Sequence, residues 1–186
     1  MEGTRLEPGR STRALEARLE RHGEAVETFI AQARRVPPGR HEAPRAPGKW
    51  SPADEATHLV LTYREFAAVL EGAPEFTLLV PPEKAAQYRQ TVLPRILAGN
   101  WFPRGAVAPD RVRPGESRQP LLATLGELHR VAERFHAAAR SAAAAEPDRR
   151  WTHPYFGPVS LAELVDVLTA HAEHHASFVA PEAAGG

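Results

Sequence analysis

Two histidines one helical turn apart near the C-terminus are the residues in this sequence best suited to chemistry. His171 and His175 lie within a segment, residues 161–178, whose apolar residues recur with the period of a helix. At about 100° per residue, His175 lies about 40° from His171, and both lie on the apolar side of the helix. Positions i and i+4 can bind one metal ion from a single helix face. Alternatively, both could be core histidines bonded to other side chains, since a buried imidazole needs polar partners.

A catalytic metal site usually needs a third protein ligand, and the best candidate is His58 in a second predicted helix. Thr62 and Glu65 follow His58 by one and two turns, so the three residues form a polar stripe. This stripe fits a helix that lines a polar cavity, with Glu65 as a general base or as a partner of a metal ligand. It fits a solvated face equally well, because a separate apolar arc runs along the same helix.

Other histidines have a structural and a functional interpretation each. His153 lies in the loop before the last helix and could reach over the site as an acid–base group, or serve the loop structurally. His174 is either an alternative ligand or a half-exposed residue at the edge of the buried face. His22 falls in the apolar seam of the first helix, where a satisfied core histidine is expected. His129 and His136 flank the apolar stripe of a third long helix and are interpreted as boundary residues, with lining of the pocket as the alternative.

Helix-start and helix-stop residues divide the chain into amphipathic helices. Ser51 and Ser160 are predicted N-caps, each with an acidic residue three positions on. The segment between the third long helix and Ser160, residues 151–158, is interpreted as a turn-rich aromatic loop. Without a convincing alternating strand, the pattern predicts an all-α bundle with long Pro- and Gly-rich connecting loops. The predicted helices cover residues 11–36, with Ser11 as N-cap, 52–71, 81–97, 119–145 and 161–178.

Length and composition suit a single globular domain. We expect this domain to cover residues 11–180, between flexible tails at 1–10 and 181–186. The chain has 23 basic and 23 acidic residues, so no overall charge favours nucleic acid or an anionic membrane. Cysteine is absent, and any metal must therefore be held by histidine or carboxylate. With no recognisable signal peptide or membrane span, we expect a cytoplasmic protein.

Three motifs follow one another along the chain: WSPADEATHL at 50–59, VLPRILAG at 92–99, and HPYFGP at 153–158 followed by HxxxH at 171–175. Their sequences and order resemble those of DinB-like proteins, also described as YfiT-type metal-dependent hydrolases. The resemblance covers nearly the whole chain beyond residue 11. It implies a four-helix bundle in which His58, His171 and His175 surround one divalent metal ion. Members of the family often have glutamine three residues after the last of these histidines, where this chain has Phe178.

The resemblance also implies a range of functions, because the superfamily includes S-transferases that use low-molecular-weight thiols and thiol-dependent isomerases. Three neutral imidazoles leave a divalent ion its full charge and open positions, which would acidify either a thiol or water. We therefore expect a metal-dependent transferase that uses a low-molecular-weight thiol and a small-molecule substrate. The alternatives are a metal-dependent hydrolase and a non-catalytic metal-binding or interaction bundle. Related bundles often pair through helix faces, which predicts a homodimer.

The surroundings of the metal would discriminate between these functions. A cavity with a basic group able to hold a thiol's carboxylate favours the transferase, and a carboxylate within reach of metal-activated water favours the hydrolase. Four protein ligands without a cavity favour a non-catalytic site. Zn²⁺ is the expected ion, with Ni²⁺, Fe²⁺ and Mn²⁺ as alternatives. Four loop aromatics could form the rim of the pocket or anchor the loops: Trp101, Phe102, Tyr155 and Phe156.

Overall fold

Helices make up most of the chain in the computed structural model, which describes residues 8–99, 101–103, 105–115 and 119–180, with side chains from residue 12 onward. Two short antiparallel strands form a hairpin directly before the last helix. The elements are α1 (Pro8–Ala33), α2 (Pro52–Leu70), α3 (Pro82–Thr91), α4 (Leu93–Leu97), α5 (Leu121–Ala145), β1 (Arg150–His153), β2 (Gly157–Ser160) and α6 (Leu161–Val179), with 3-10 turns at Pro38–Arg40 and Asp110–Val112.

Capping boxes fix the starts of the two helices that carry the candidate ligands. At α2 the Ser51 hydroxyl accepts the Asp54 backbone N–H, and the Asp54 carboxylate accepts the Ser51 backbone N–H. Ser160 and Glu163 repeat this exchange at α6. Each box satisfies two backbone donors that the first helical turn leaves without partners. The predicted N-caps at Ser51 and Ser160 are confirmed.

The long helices pack in pairs around a common core. Helix α1 lies against α6, α2 lies against α5, and α1 and α2 also contact α5 and α6, respectively. The predicted seam of α1 is buried, because Leu19, Val26 and Phe29 all face this core. An all-α architecture is therefore broadly correct. None of the helices in the described stretches has the length and apolar content needed to cross a lipid bilayer.

Two predicted helices differ from the structure, and the first of them ends at Ala33 instead of Val36. Helix α1 begins at Pro8, three residues before the predicted cap at Ser11. Proline is well tolerated in a first helical turn because its missing N–H would have no partner there. The predicted helix over 81–97 is divided at Val92 into α3 and α4. Pro94 explains the division, because it has no N–H for a helical hydrogen bond and its ring crowds the preceding turn.

The predicted aromatic loop over 151–158 is instead the β-hairpin, with Trp151 opposite Val159 and Thr152 opposite Pro158. Each strand has only four residues, which is too short for an alternating pattern to stand out. Pro158 also argues against a strand, although a two-stranded hairpin has the open edges that tolerate proline. The hairpin matters for the site because it places His153 at the end of β1.

Candidate metal centre

Three histidine side chains from two helices meet on the wall of a cavity. The Nε2 atom of His171 lies 3.1 Å from Nε2 of His58 and 2.9 Å from Nε2 of His175. One ligand-capable nitrogen from each ring lies within 4.8 Å of the other two. Two nitrogens bound to one tetrahedral Zn²⁺ by bonds of about 2.05 Å would lie about 3.3 Å apart. The structure thus brings together, from α2 and α6, the three residues that we call the histidine cluster.

Hydrogen bonds at the far side of two rings determine where their protons lie. The Nδ1 atom of His58 lies 2.7 Å from the carbonyl oxygen of Val112, which can only accept, so this nitrogen carries the hydrogen and donates. The Nδ1 atom of His175 lies 2.5 Å from Oε2 of Glu55 and donates to it when Glu55 is ionised. In a neutral imidazole with a hydrogen on Nδ1, Nε2 has a free lone pair. His58 and His175 therefore both direct lone pairs toward His171.

A single hydrogen cannot give all three converging Nε2 atoms a hydrogen-bond partner. Among the three converging Nε2 atoms only that of His171 can carry a hydrogen, and it can donate it to one neighbour. The Nδ1 atom of His171 is buried without a hydrogen-bond partner among the described residues. A divalent cation accepts all three lone pairs at once, and three neutral imidazoles are the protein ligands of one well-known class of catalytic zinc site. The donor chemistry of the histidine cluster therefore fits a metal ion.

Burial keeps the cluster in the protonation state that metal binding requires. Burial lowers the pKa of His58 to about 4, although the hydrogen bond to Val112 opposes this shift. Burial and the neighbouring imidazoles hold the pKa values of His171 and His175 well below the usual range. All three rings are therefore neutral at pH 7, and no proton has to be removed before a cation binds.

Glu55 is a functional candidate that the sequence reasoning missed. Its side chain is almost fully buried, and it crosses from α2 to hold the ring of His175 on α6. Burial raises the pKa of Glu55 to about 7, whereas Arg45, with Nη2 3.9 Å from Oε1, opposes the rise. Carboxylates commonly orient metal-binding histidines in this way. A possible signal was present, because Glu55 precedes His58 by three positions and so lies near it on the helix surface.

Glu65, the predicted acid–base residue of the same helix, does not face the cavity beside the histidine cluster. Its carboxylate forms an ion pair with Arg111, and it is not among the described residues that line the cavity. His58 and Thr62, by contrast, are both buried and line the cavity. The stripe on α2 is therefore not a solvated face: its first two residues face the cavity, and Glu65 is engaged by the loop before α5.

His153 and His174 also line the cavity, outside the histidine cluster. The Nδ1 atom of His153 accepts a hydrogen bond from the Tyr155 backbone N–H at 3.2 Å, so its hydrogen lies on Nε2. Burial lowers the pKa of His153 to about 3, which keeps the ring neutral. In this state His153 can donate a hydrogen bond but cannot act as a cationic acid near pH 7. His174 is half-buried and stacks on Phe102.

The cavity has a volume of about 1380 Å³ and mixes aromatic with basic residues. It is open to solvent, since Val107 on its wall is 64% exposed. Of the four loop aromatics, Trp101 lies outside the lining and packs against Arg95 instead. The aromatic lining consists of Trp50, Phe66, Phe76, Tyr88, Phe102, Tyr155, Phe156 and Phe178, and the basic lining consists of Arg45, Lys49 and Arg113.

Comparison with known proteins supports the family expected from the motifs. The sequence model of the DinB superfamily matches residues 10–179. No curated protein and no solved structure shows a significant match to the chain. The match covers the histidine cluster, both capping boxes and the hairpin that carries His153. The chain therefore belongs to the DinB superfamily.

Proposed function

We propose that this protein binds one divalent metal ion at the histidine cluster, within the four-helix bundle of its family, and transfers a low-molecular-weight thiol to an electrophilic small molecule. The proposal depends on one observation: three imidazole nitrogens, with at most one hydrogen between them, converge on the wall of a large open cavity. Zn²⁺ is the ion that we propose first, because it commonly takes imidazole ligands.

The open cavity favours a catalytic over a purely structural site. Structural zinc sites are closed by four protein ligands, whereas catalytic sites keep a position for water or substrate. The cluster found among the described residues offers three ligands and adjoins about 1380 Å³ of space. A small molecule can therefore approach a cation held there.

The carboxylates on the cavity wall argue against hydrolysis. A free carboxylate within reach of metal-activated water would favour a hydrolase, but Glu55 is engaged by the Nδ1–H of His175. Asp110 is the other acidic residue among the described lining, and it pairs with Arg113 at 3.2 Å. A thiol needs a weaker base than water does because its pKa is far lower. The three basic residues of the lining also suit an anionic thiol.

The proposed reaction joins a thiol to an electrophile, RSH + R′–X → RS–R′ + H⁺ + X⁻. The S–C bond forms as the C–X bond breaks, and the thiol proton leaves to solvent. A divalent ion would lower the pKa of a thiol that binds it, so that the thiolate is available near neutral pH. Glu55 and the Val112 carbonyl keep His175 and His58 in the required tautomers. Trp50 and Phe102 supply apolar walls beside the cluster, with Trp50 4.8 Å from the ring of His58.

A thiol-conjugation assay tests the proposal. Metal-loaded protein is incubated with a panel of low-molecular-weight thiols and 1-chloro-2,4-dinitrobenzene, and formation of the thioether is followed by absorbance. We expect at least one thiol to be conjugated faster than in the absence of protein. His58→Ala should return that rate to the uncatalysed value. The matched control is His129→Ala, which removes an exposed histidine that pairs with Glu27 and is not among the described residues that line the cavity. This variant should react as the wild type.

A parallel assay with p-nitrophenyl acetate and no thiol covers the hydrolase alternative. Ester cleavage that requires His58, together with no conjugation of any thiol in the panel, would replace the transferase proposal with hydrolysis. Equal rates in wild type and His58→Ala in both assays would contradict a catalytic role for the histidine cluster.

A further inference from the structure

Arg45 is a cation on the cavity wall that forms a long ion pair with Glu55 but no side-chain hydrogen bond to the described residues. Its Nη2 atom lies 3.9 Å from Oε1 of Glu55, beyond hydrogen-bonding distance. No hydrogen bond joins its guanidinium group to any of the residues that the structure describes. Arg113, on the same wall, bonds to Asp110 and to the Ala108 carbonyl. Arg45 therefore retains its N–H donors for solvent or for a ligand.

The side chain is nevertheless held in place. The guanidinium carbon of Arg45 lies 3.6 Å from the centre of the Phe178 ring. Stacking on an aromatic face orients the planar group but leaves its N–H donors, which lie in that plane, accessible. Only 33% of the Arg45 side chain is exposed. An arginine that is ordered by stacking loses less entropy when it binds an anion than a free surface arginine does.

Phe178 connects this arginine to the histidine cluster. It lies three residues after His175 on α6, and the two ring centres are 5.9 Å apart. Arg45 also approaches Glu55, which bonds to His175. The guanidinium group is therefore adjacent to the cluster and shares the cavity with it. Phe178 stands where members of the family often have glutamine, whose amide would not offer an aromatic face to an arginine.

We propose that Arg45 binds the carboxylate of the thiol, and so makes this protein selective for low-molecular-weight thiols that carry a carboxylate on the same molecule. This inference rests on the proposed function, since it requires thiol sulfur at the histidine cluster. A carboxylate matches the guanidinium group in geometry and charge, and it can accept two parallel hydrogen bonds. Glu55 forms no hydrogen bond to the guanidinium group, because its Oε1 atom stays 3.9 Å from Nη2 while its Oε2 atom accepts from His175.

Equilibrium binding of two matched thiols tests this selectivity. Zn²⁺-loaded protein is titrated by calorimetry with 3-mercaptopropionate and with 3-mercapto-1-propanol, which share the thiol and chain length but differ in charge. We expect the acid to bind about 10- to 100-fold more tightly than the alcohol, as charge-assisted hydrogen bonds would provide. Arg45→Gln should abolish this preference by weakening only the acid. Arg45→Lys, which keeps the charge without the planar fork, should retain part of it.

Arg95→Gln is the matched control, because Arg95 also stacks on an aromatic ring, 4.1 Å from the centre of Trp101, but lies outside the described lining of the cavity. It should leave the preference unchanged. Metal content equal to wild type and an unchanged melting temperature would show that Arg45→Gln folds and keeps its site. Equal affinity of wild type for the two thiols, or equal weakening of both in Arg45→Gln, would overturn the proposal.

Propionate, which has no sulfur, separates this inference from the proposed function. If both thiols bind and propionate competes only when Arg45 is present, the anion site and the thiol site are both supported. If neither thiol binds but propionate still binds through Arg45, the anion site stands and the thiol-transfer function fails. If the thiols bind but propionate does not compete and Arg45→Gln has no effect, the proposal for Arg45 fails and thiol binding stands.

Discussion

Two groups of histidines are largely withdrawn from solvent in the described part of this protein, and the large cavity lies beside the first of them. The histidine cluster lines about 1380 Å³ of open space. The second group, which we call the histidine pair, consists of His22 on α1 and His136 on α5, with Nδ1 of His22 2.8 Å from Nε2 of His136. Both are buried, and neither is among the described residues that line the cavity. His22 packs instead against Tyr63 and Phe135 in the core.

The difference shows that burial alone does not identify a metal-binding histidine. In the pair, one nitrogen donates and the other accepts, so one hydrogen satisfies the contact. In the cluster, three nitrogens converge and two of them have already been left as acceptors by hydrogen bonds on the far side of the ring. The cluster differs from the pair in having more nitrogen lone pairs than hydrogens to bond them, and a bound cation would accept those lone pairs.

The pair also corrects two interpretations from sequence. His22 is buried as expected, but it is satisfied at Nδ1 only, since its Nε2 atom is buried without a partner among the described residues. His136, interpreted as a boundary residue, is buried and bonded to His22. His129 is exposed and pairs with Glu27, which agrees with its position at the edge of the α5 stripe.

Substitution of a histidine in the cluster should have the largest effect on metal binding. For His171→Ala we expect metal content to fall from about one ion per chain to below about 0.1, because two imidazoles seldom hold a divalent ion against a chelator. His22→Ala should retain about one ion per chain in the fraction that folds. Elemental analysis of dialysed protein measures both. Equal metal loss in the two variants would remove the distinction between cluster and pair.

Substitution of Glu55 should have the next largest effect on metal affinity, because Glu55 orients a metal ligand without binding the metal itself. We expect Glu55→Gln to weaken metal affinity by about 10- to 100-fold, as is usual for partners of metal-binding histidines. Competition with a chelator measures the affinity, and circular dichroism checks the fold. Glu65→Gln is the control from the same helix and should change affinity little. A larger loss in Glu65→Gln than in Glu55→Gln would favour the role first predicted for Glu65.

The histidine pair should instead make stability depend on pH. Burial lowers the pKa of His22 from 6.5 to about 3, so between these values the unfolded chain binds a proton that the folded protein does not. The free energy of unfolding must therefore fall as the pH is lowered below about 6.5, with His22 contributing about 2 kcal/mol of loss by about pH 5.

Denaturant unfolding of metal-free protein at pH 6.5 and pH 5 measures this dependence. His22→Leu should be less stable than wild type at pH 6.5 but should lose less stability on acidification. The other buried histidines titrate in both proteins, so the difference between the two slopes isolates His22. Identical slopes would show that His22 takes up no excess proton on unfolding.

Substitution of His174 should have the smallest effect on metal affinity. It lies beside the cluster and stacks on Phe102, but its ring is not one of the three whose nitrogens converge. We expect His174→Ala to retain the metal, with affinity changed by less than about threefold. Chelator competition measures this as well. A loss as large as that of His171→Ala would make His174 a ligand and would require a different cluster geometry.

Local patterns predicted the starts of α2 and α6 and the shared face of His171 and His175, because both depend on neighbours in sequence. His58, 113 residues before His171, entered the candidate set through the polar stripe on its own helix and the resemblance to the family. Ser51 and Ser160 reach backbone groups three residues away, and His171 and His175 share a helix face by spacing alone. The hairpin was missed because pairing between β1 and β2 depends on register across a turn. Glu55 was missed because its partner, His175, is 120 residues away.

By itself, the sequence determined that any metal must be held by histidine or carboxylate, that two histidines share one face of the last helix, and where the helices carrying the candidate ligands begin. Only the tertiary structure decided that His58 joins that pair, that Glu55 rather than Glu65 contacts it, and that His22 meets His136 away from the cavity. Helical periodicity places side chains around one axis. The orientation of one helix against another depends on packing of the whole core, which no local pattern contains.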